Sequence, residues 1–444
     1  MQLTDTIAAI STALSESAIS IIRLSGTEAF DIAESVFSKS LKDKQSHTVH
    51  YGFIFDPSDQ SIVDEVLVTI FKAPKTFTTE DIVEINCHGG VVITQRILSI
   101  LLGQGARLAN PGEFTQRAYL HGRIDLSQAE SIVDLIQAPS IDSAALAISQ
   151  VRGSIKKLIQ PLLDELLSMI AHIEVNIDYP EYDDVIQLTQ KDIYPRAKDW
   201  LQQLNEIISL SRSGQIVKEG VKTVILGKPN VGKSSILNAL LEEEKAIVTD
   251  VAGTTRDLVE GWIRLKNVTL HLIDTAGLRE TEDKVERIGI EKSKKALEEA
   301  DLAIVVLDAS AQKDDQDDYL LEITEGKQRI IVYNKSDVSD KEYPLQISAL
   351  NQDIEPLILT IEQMFAHHQI ALSQPTLSNQ RQIGCAVSAY QSMRSAIEAI
   401  EYDMEVDLIT IDLQSAYQSL QNILQTEGET SLIDAIFSRF CLGK

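Results

Sequence analysis

The chain has 444 residues, of which 66 are acidic and 40 basic, giving a formal net charge of −26. Its 44% apolar and 24% charged content is that of a globular protein and excludes a disordered one. No apolar run approaches the length of a membrane-spanning helix. The start, Met1-Gln2-Leu3-Thr4-Asp5-Thr6, also lacks the basic-then-apolar order of a secretory signal. The length therefore leads us to expect roughly two to four domains, with no membrane attachment and a cytoplasmic location. The three cysteines, Cys87, Cys385 and Cys441, are odd in number and lack metal-like spacing, which fits a reducing compartment.

The charge also limits nucleic-acid binding. Residues 1–120 hold 9 basic and 14 acidic side chains, and residues 373–444 hold 4 and 9, so neither end is a basic RNA-binding tail. If RNA is a substrate, a local patch or a partner protein must supply the positive surface.

In chain order, residues 1 to about 118 mix short strands, including Ile19–Leu24, Glu65–Phe71 and Asp81–Ile85, with short helices. Gly89-Gly90 and Asn110-Pro111-Gly112 are turn signals, and Cys87-His88 reads as the end of a strand. Helical texture begins near Ser127. Ile148, Val151, Ile155, Leu158, Leu162, Leu166 and Ile170 recur at steps of three and four, the face of one long helix, with a kink or break expected at Pro161. From about 218 to 370 strands alternate with helices: Val221–Leu226, Val259–Leu265, Val268–Ile273, Leu302–Leu307 and Ile330–Tyr333 are the strands, and the alternation predicts a mainly parallel sheet. Helical texture returns at 376–440, with Ala386, Val387, Met393, Ile397 and Ile400 on one face. A helical domain is thus interrupted by an α/β insert. The expected division is 1–118, 119–217, 218–372 and 373–444.

The insert carries the chemistry. Gly227-Lys228-Pro229-Asn230-Val231-Gly232-Lys233-Ser234 fits the phosphate-binding pattern G-x-x-x-x-G-K-[ST] between a strand and a helix, with Ser235 next in the helix. Backbone N–H groups cradle phosphate oxygens, Lys233 reaches the β- and γ-phosphates, and the Ser234 hydroxyl ligates Mg²⁺. Asp274-Thr275-Ala276-Gly277 ends the next parallel strand, where an acid faces the nucleotide and the Gly277 N–H can sense a γ-phosphate. Asn334-Lys335-Ser336-Asp337 follows in the right order. The Asp337 carboxylate can accept both the ring N–H and the exocyclic amine of guanine, which selects GTP over ATP. Ser348-Ala349-Leu350 would close over the base. Gly253-Thr254-Thr255-Arg256-Asp257 offers a threonine to the Mg²⁺ shell, although by itself it is an ordinary polar loop. Leu278 stands where many small GTPases have a water-orienting glutamine, so another group must orient the water; Asp283, Glu286 and Arg287 are candidates. The terminal Cys441-Leu442-Gly443-Lys444 is either a frayed tail or an arm reaching into an active site.

Together G-K-P-N-V-G-K-S, G-T-T-R-D, D-T-A-G-L-R-E-T, N-K-S-D and the terminal C-L-G-K resemble the MnmE (TrmE) family of bacterial tRNA-modification GTPases, from Asp5-Thr6-Ile7-Ala8-Ala9 to Lys444. The resemblance implies a multidomain α/β and all-α fold: an α/β N-terminal domain that dimerises and binds folate, a helical domain, and an inserted P-loop, Ras-like G domain. It implies a homodimeric, K⁺-activated GTPase. With the FAD-dependent partner MnmG (GidA), in a heterotetramer or larger complex, it would modify C5 of wobble uridine 34 in tRNA, using 5-formyl- or methylene-tetrahydrofolate. Asn230 and the loop Thr249, Asp250, Val251, Ala252, Gly253 and Thr254 would hold K⁺ beside the phosphates, where a cation neutralises developing charge. Ser234 and Thr255 match the Mg²⁺ ligands and Glu286 the water-orienting acid. Arg23, Glu84, Arg123 and Lys444 match folate-contacting positions, and Cys441 the tail cysteine. One departure is the loop Ser11-Thr12-Ala13-Leu14-Ser15-Glu16-Ser17-Ala18, which lacks the family's proline and glycine. The alternative is a ribosome-assembly GTPase, which needs a basic RNA-binding module that this sequence does not display.

Overall fold

The computed structural model describes residues 5–178, 189–242, 261–266, 268–273, 296–366, 374–425, 436–438, 440 and 443. The chain divides into two compact units, one of residues 1–133 with 421–444 and one of residues 134–420.

The first unit is built on a six-stranded sheet of order β3-β4-β5-β2-β1-β6, from β1 (Ile7–Ile10), β2 (Ile19–Ser25), β3 (Thr48–Phe55), β4 (Ile62–Phe71), β5 (Ile82–His88) and β6 (Arg107–Leu108). All neighbours are antiparallel except β1 and β6. Side chains alternate across such a sheet. One face contributes Ile22, Leu24, Ile54, Val68 and Ile85 to a core closed by α1 (Ala29–Val36) and α2 (Val91–Gly103). On the other face Arg23 pairs in register with Glu84, and Tyr51 with Leu67. That face leaves Ile19, Val49, Tyr51 and Leu67 exposed, an apolar surface around one ion pair.

Two short helices, α3 (Glu113–Leu120) and α4 (Leu126–Ile136), follow. Phe437 and Phe440 pack with Leu126, Ala129 and Tyr119, so both join this unit's core. A buried ion network ties the start of the chain to α3. Arg117, fully buried, donates to Asp5, Glu80 and Glu113, while Arg107 donates to Asp5 and Glu113.

In the second unit, α5 (Ile141–Val151), α6 (Ser154–Asp178) and α7 (Tyr194–Glu219) pack together. The expected single helix over 148–170 is two. The break lies at Arg152-Gly153, where Gly153 takes φ +83°, and α6 runs on through Pro161. The carbonyl that loses its donor at Pro161 belongs to Lys157, an exposed residue, so water can satisfy it. Ile148 is correspondingly 47% exposed, whereas Ile155, Leu162, Leu166 and Ile170 are buried.

The insert follows α7. Its five-stranded sheet has the order β11-β10-β7-β9-β8, from β7 (Val221–Leu226), β8 (Gly261–Arg264), β9 (Thr269–Leu272), β10 (Leu302–Asp308) and β11 (Arg329–Asn334). Only β8 runs antiparallel. β10 is buried along nearly its whole length, as a central parallel strand covered on both faces must be. Its helices include α8 (Lys233–Glu242), α9 (Asp315–Ile323) and α10 (Glu355–Phe365). The chain then returns through Thr376 and Ser378, both bonded by the buried Gln150 amide at 3.0 Å, into α11 (Gln380–Glu401) and α12 (Val406–Leu424). Ala386, Met393, Ile397 and Ile400 of α11 are buried, and Val387 is half-buried. Among the described residues no helix is long and apolar enough to cross a membrane.

Candidate functional site

The loop between β7 and α8 takes the form that its glycines require. Asn230 and Gly232 adopt positive φ (64° and 97°), and a Cβ at Gly232 would lie 2.1 Å from Asn334 Nδ2. A side chain there would push the loop off β11. Lys233 begins α8 and folds its ammonium back onto the Gly227 and Lys228 carbonyls at 2.7 and 2.8 Å. Burial pulls its pKa below the usual lysine value. The carbonyls hold the charge where phosphate oxygens would replace them, and the exposed Ser234 and Ser235 stand in the first turn of α8, where helix N–H groups face an anion.

The base end is tied to the phosphate end by one buried amide. Asn334 Nδ2 donates to the Val231 carbonyl at 2.9 Å, and its Oδ1 accepts from the Ala349 N–H at 3.0 Å. Lys335, at φ +66°, pairs with Asp308 at 2.6 Å. Burial would raise the Asp308 pKa, but the Lys335 and Ser310 donors bring it below the usual carboxylate value. Ser348 Oγ donates to Asp337 Oδ1 at 2.5 Å, which leaves the exposed Asp337 with a second oxygen free to accept from a ligand. Leu350 is 81% exposed beside this loop.

Thr249, Asp250, Val251, Ala252, Gly253, Thr254, Thr255, Asp274, Thr275, Ala276, Gly277 and Glu286 lie outside the described residues, as do Asp283 and Arg287. Among the described residues no group of His, Cys, Asp and Glu could hold a metal by itself.

One contact escaped the sequence reading. Lys228 Nζ bonds both Asp314 and Asp317 at 2.7 Å, tethering the phosphate loop to the N-terminus of α9. Its signal was present in Asp314, a capping-box residue placed three before Asp317. The acidic run around it reads as solvated, which hid the tether.

In the first unit, Arg23 meets Glu84 at 2.7 Å and lies 5.6 Å from the centre of the Phe114 ring. Arg123 lies 5.0 Å from the centre of the Phe77 ring and donates to the Phe77 carbonyl. Phe77 packs against the cluster that contains Phe114, so one hydrophobic seam lies between the two arginines. Cys87 is buried, its thiol pushed up in pKa by burial, and it contacts Ser20 and Thr94 as a structural strand end. The loop 11–18 is held at both ends: Ser11 N–H donates to Ile21 and Ser17 N–H to Gly89.

Cys441 and Lys444 lie outside the described residues, but Gly443 between them is described. It takes φ +89°, its carbonyl accepts from Ser11 Oγ at 3.1 Å, and a Cβ on it would come within 2.2 Å of the Ile10 carbonyl oxygen. Gly443 is therefore docked at the end of β1, where only glycine fits.

Two family models match the chain in succession, the GTP-binding protein TrmE N-terminus over residues 6–123 and the MnmE helical domain over residues 126–441. Curated relatives align along nearly all of it. The tRNA modification GTPase MnmE of Bacillus pumilus is 46% identical over 99% of this chain and 100% of its own length. That of Lactococcus lactis subsp. cremoris is 49% identical over 99% and 98%. Among solved structures, Aquifex aeolicus Era bound to GDP and aluminium fluoride aligns at 25% identity over 39% of this chain and 66% of its own, with a TM-score of 0.26. The G domain of the Thermotoga maritima FeoB iron transporter aligns at 28% over 33% and 98%, with a TM-score of 0.25. Scores this low carry no weight, and the assignment rests on the sequence matches: the chain belongs to the MnmE (TrmE) family of tRNA-modification GTPases.

Proposed function

We propose that this protein is a K⁺-activated GTPase which, with the FAD-dependent partner MnmG, modifies C5 of wobble uridine 34 in tRNA. The observation that carries the GTPase reading is the Asn334 amide, which joins the phosphate loop at Val231 to the base loop at Ala349 while Asp337 keeps an accepting oxygen outward. Family membership carries the tRNA reading. The proposed division is an N-terminal domain over 1–118, helical segments over 119–217 and 373–444, and the G domain over 218–372.

In this reading Gly227, Asn230, Val231, Gly232, Lys233, Ser234 and Ser235 surround the phosphates, and Ser234 with Thr255 holds Mg²⁺. Asn230 and Thr249–Thr254 hold K⁺, Asp274–Gly277 face the γ-phosphate, and Glu286 orients the water. GTP-driven pairing of two G domains completes the K⁺ site. The first unit forms the homodimer and holds a tetrahydrofolate derivative. Its apolar sheet face around Arg23–Glu84 supports both roles, and the seam from Phe114 to Phe77 suits a flat ring between Arg23 and Arg123. The docking of Gly443 on β1 supports a tail that carries Cys441 and Lys444 to this unit's own site. A cytoplasmic location follows from the tRNA substrate.

The test is nucleoside analysis of tRNA from a strain lacking the gene, complemented by the wild type or by Lys233→Met. Loss of the modified wobble uridine in the deletion strain, restored by the wild type alone, is expected. An unchanged nucleoside in the deletion strain would refute the tRNA role.

A further inference from the structure

The net charge of −26 raises the question of where such a protein could meet RNA. The first unit contains an answer. Residues 39–50, 71–79 and 121–123 carry six lysines and arginines and three histidines against a single carboxylate, Asp43. The fold brings these three segments together. The His47 N–H bonds the Ile70 carbonyl, the Lys72 N–H bonds Ser46 Oγ at 2.8 Å, and the His47 ring meets Phe71 edge-on at 5.2 Å. His121 Nδ1 donates to the Thr78 carbonyl at 2.6 Å, which fixes its tautomer, and the neighbouring Arg123 is oriented by Phe77. Between the segments lies a cleft of about 520 Å³, whose charge comes from Lys75 and Arg123 and whose wall includes His47 and His121.

The cations are not all neutralised. Lys42 pairs with Asp31, but among the described residues neither Lys44 nor Lys75 has a carboxylate partner. Lys39 lies 5.4 Å from the centre of the Tyr51 ring. The positive field reaches into the sheet, where burial, then Lys44 and Lys39, lower the pKa of His50. Long exposed lysines beside backbone-fixed histidines make a surface suited to a row of phosphates, because the contact needs charge and spacing rather than base-specific donors.

We propose that this basic cleft and the Lys39–Lys44 loop beside it form a contact surface for the phosphate backbone of RNA. The inference rests on the tRNA reading above and adds the surface that an acidic chain needs. Lys44 and Lys75 neutralise phosphates, and His47 and His121 line the surface beside them. The cleft lies beside Arg123, so a bound RNA would run along the edge of the proposed folate seam.

The test measures binding of tRNA transcript to the full-length protein across a KCl series. The wild type is compared with Lys44→Gln/Lys75→Gln, which leaves Arg123 intact, and with Lys156→Gln/Lys157→Gln, the same charge change on the exposed side of α6. GTP hydrolysis and binding of 5-formyltetrahydrofolate serve as fold and folate controls. The cleft variant is expected to bind several-fold more weakly, with the slope of log K against log salt lowered by roughly 1.4 to 1.8 and both controls unchanged. The α6 variant should bind as the wild type does. Four results would overturn the inference. Equal losses in both variants would mean only a general charge effect. An unchanged slope in the cleft variant, or no tRNA binding by the wild type, would put the positive surface elsewhere. Loss of folate binding with RNA binding intact would make the cleft a small-anion site. None of these bears on the wobble nucleoside, which tests the tRNA role separately.

Discussion

The cations of the two units are held in opposite ways. In the G domain Lys233 is already satisfied by two carbonyls of its own loop, and Lys228 by two aspartates. In the first unit Lys44 and Lys75 have no carboxylate partner among the described residues, while the groups around them are fixed by backbone bonds. A self-satisfied cation binds only a ligand that replaces its partners with better ones, so it confers selectivity. An unsatisfied surface cation attracts any phosphate and confers attraction without discrimination. The first arrangement suits a nucleotide pocket and the second suits a substrate read elsewhere by shape or chemistry.

The largest expected effect breaks the first half of that comparison. Lys233→Met removes the half-buried ammonium proposed to meet the phosphates, and steady-state GTP hydrolysis should fall by about a hundred- to a thousand-fold. A loss below ten-fold would mean that the ammonium stays on its carbonyls during turnover.

A smaller effect concerns the frame under the second half. Arg117 is fully buried between Asp5, Glu80 and Glu113, so Arg117→Met takes the arginine from the largely buried Glu80 and leaves the buried Glu113 to Arg107 alone. It should destabilise the first unit by about 3–5 kcal/mol. The wild-type network should also be acid-labile. Burial opposes ionisation of Asp5 and Glu113, but the arginines hold both carboxyls below their usual values. Groups with depressed folded pKa values stabilise the fold above the unfolded value and lose that contribution as pH falls through the folded one. Protection of residues 5–25 in hydrogen exchange, corrected for intrinsic rates, should therefore decline below about pH 4, the range in which free carboxyls titrate. Protection unchanged by acid would show that these charges do not support β1.

How much of this could be read from sequence depended on distance along the chain. Val221–Leu226 is a strand with the bounds its apolar run suggests, and Leu302–Leu307 extends by one residue. Both are buried parallel strands, whose continuous apolar runs announce themselves. β1 and β3 were not anticipated. β1 has four residues, and β3 exposes Val49 and Tyr51 on one face while burying Gly52 and Ile54 on the other, so its pattern resolves only beside β4. The helix break was expected at Pro161 because a missing N–H is visible in sequence. Gly153 caused it instead, through a left-handed backbone angle that composition does not reveal. The phosphate loop was legible because its residues are contiguous. The Asp5–Arg117 pair, 112 residues apart, and the clustering of 39–50 with 71–79 and 121–123 exist only in the fold.

In the proposed mechanism a bound cation takes the place of an arginine from a partner. The most direct test is GTP hydrolysis by the purified protein in K⁺ and in Na⁺ at matched ionic strength. Strong activation by K⁺ alone is expected, and it should be lost in Asn230→Ala. Equal rates in the two salts would rule out the cation's role, because the charge between the β- and γ-phosphates would then be neutralised by some other group.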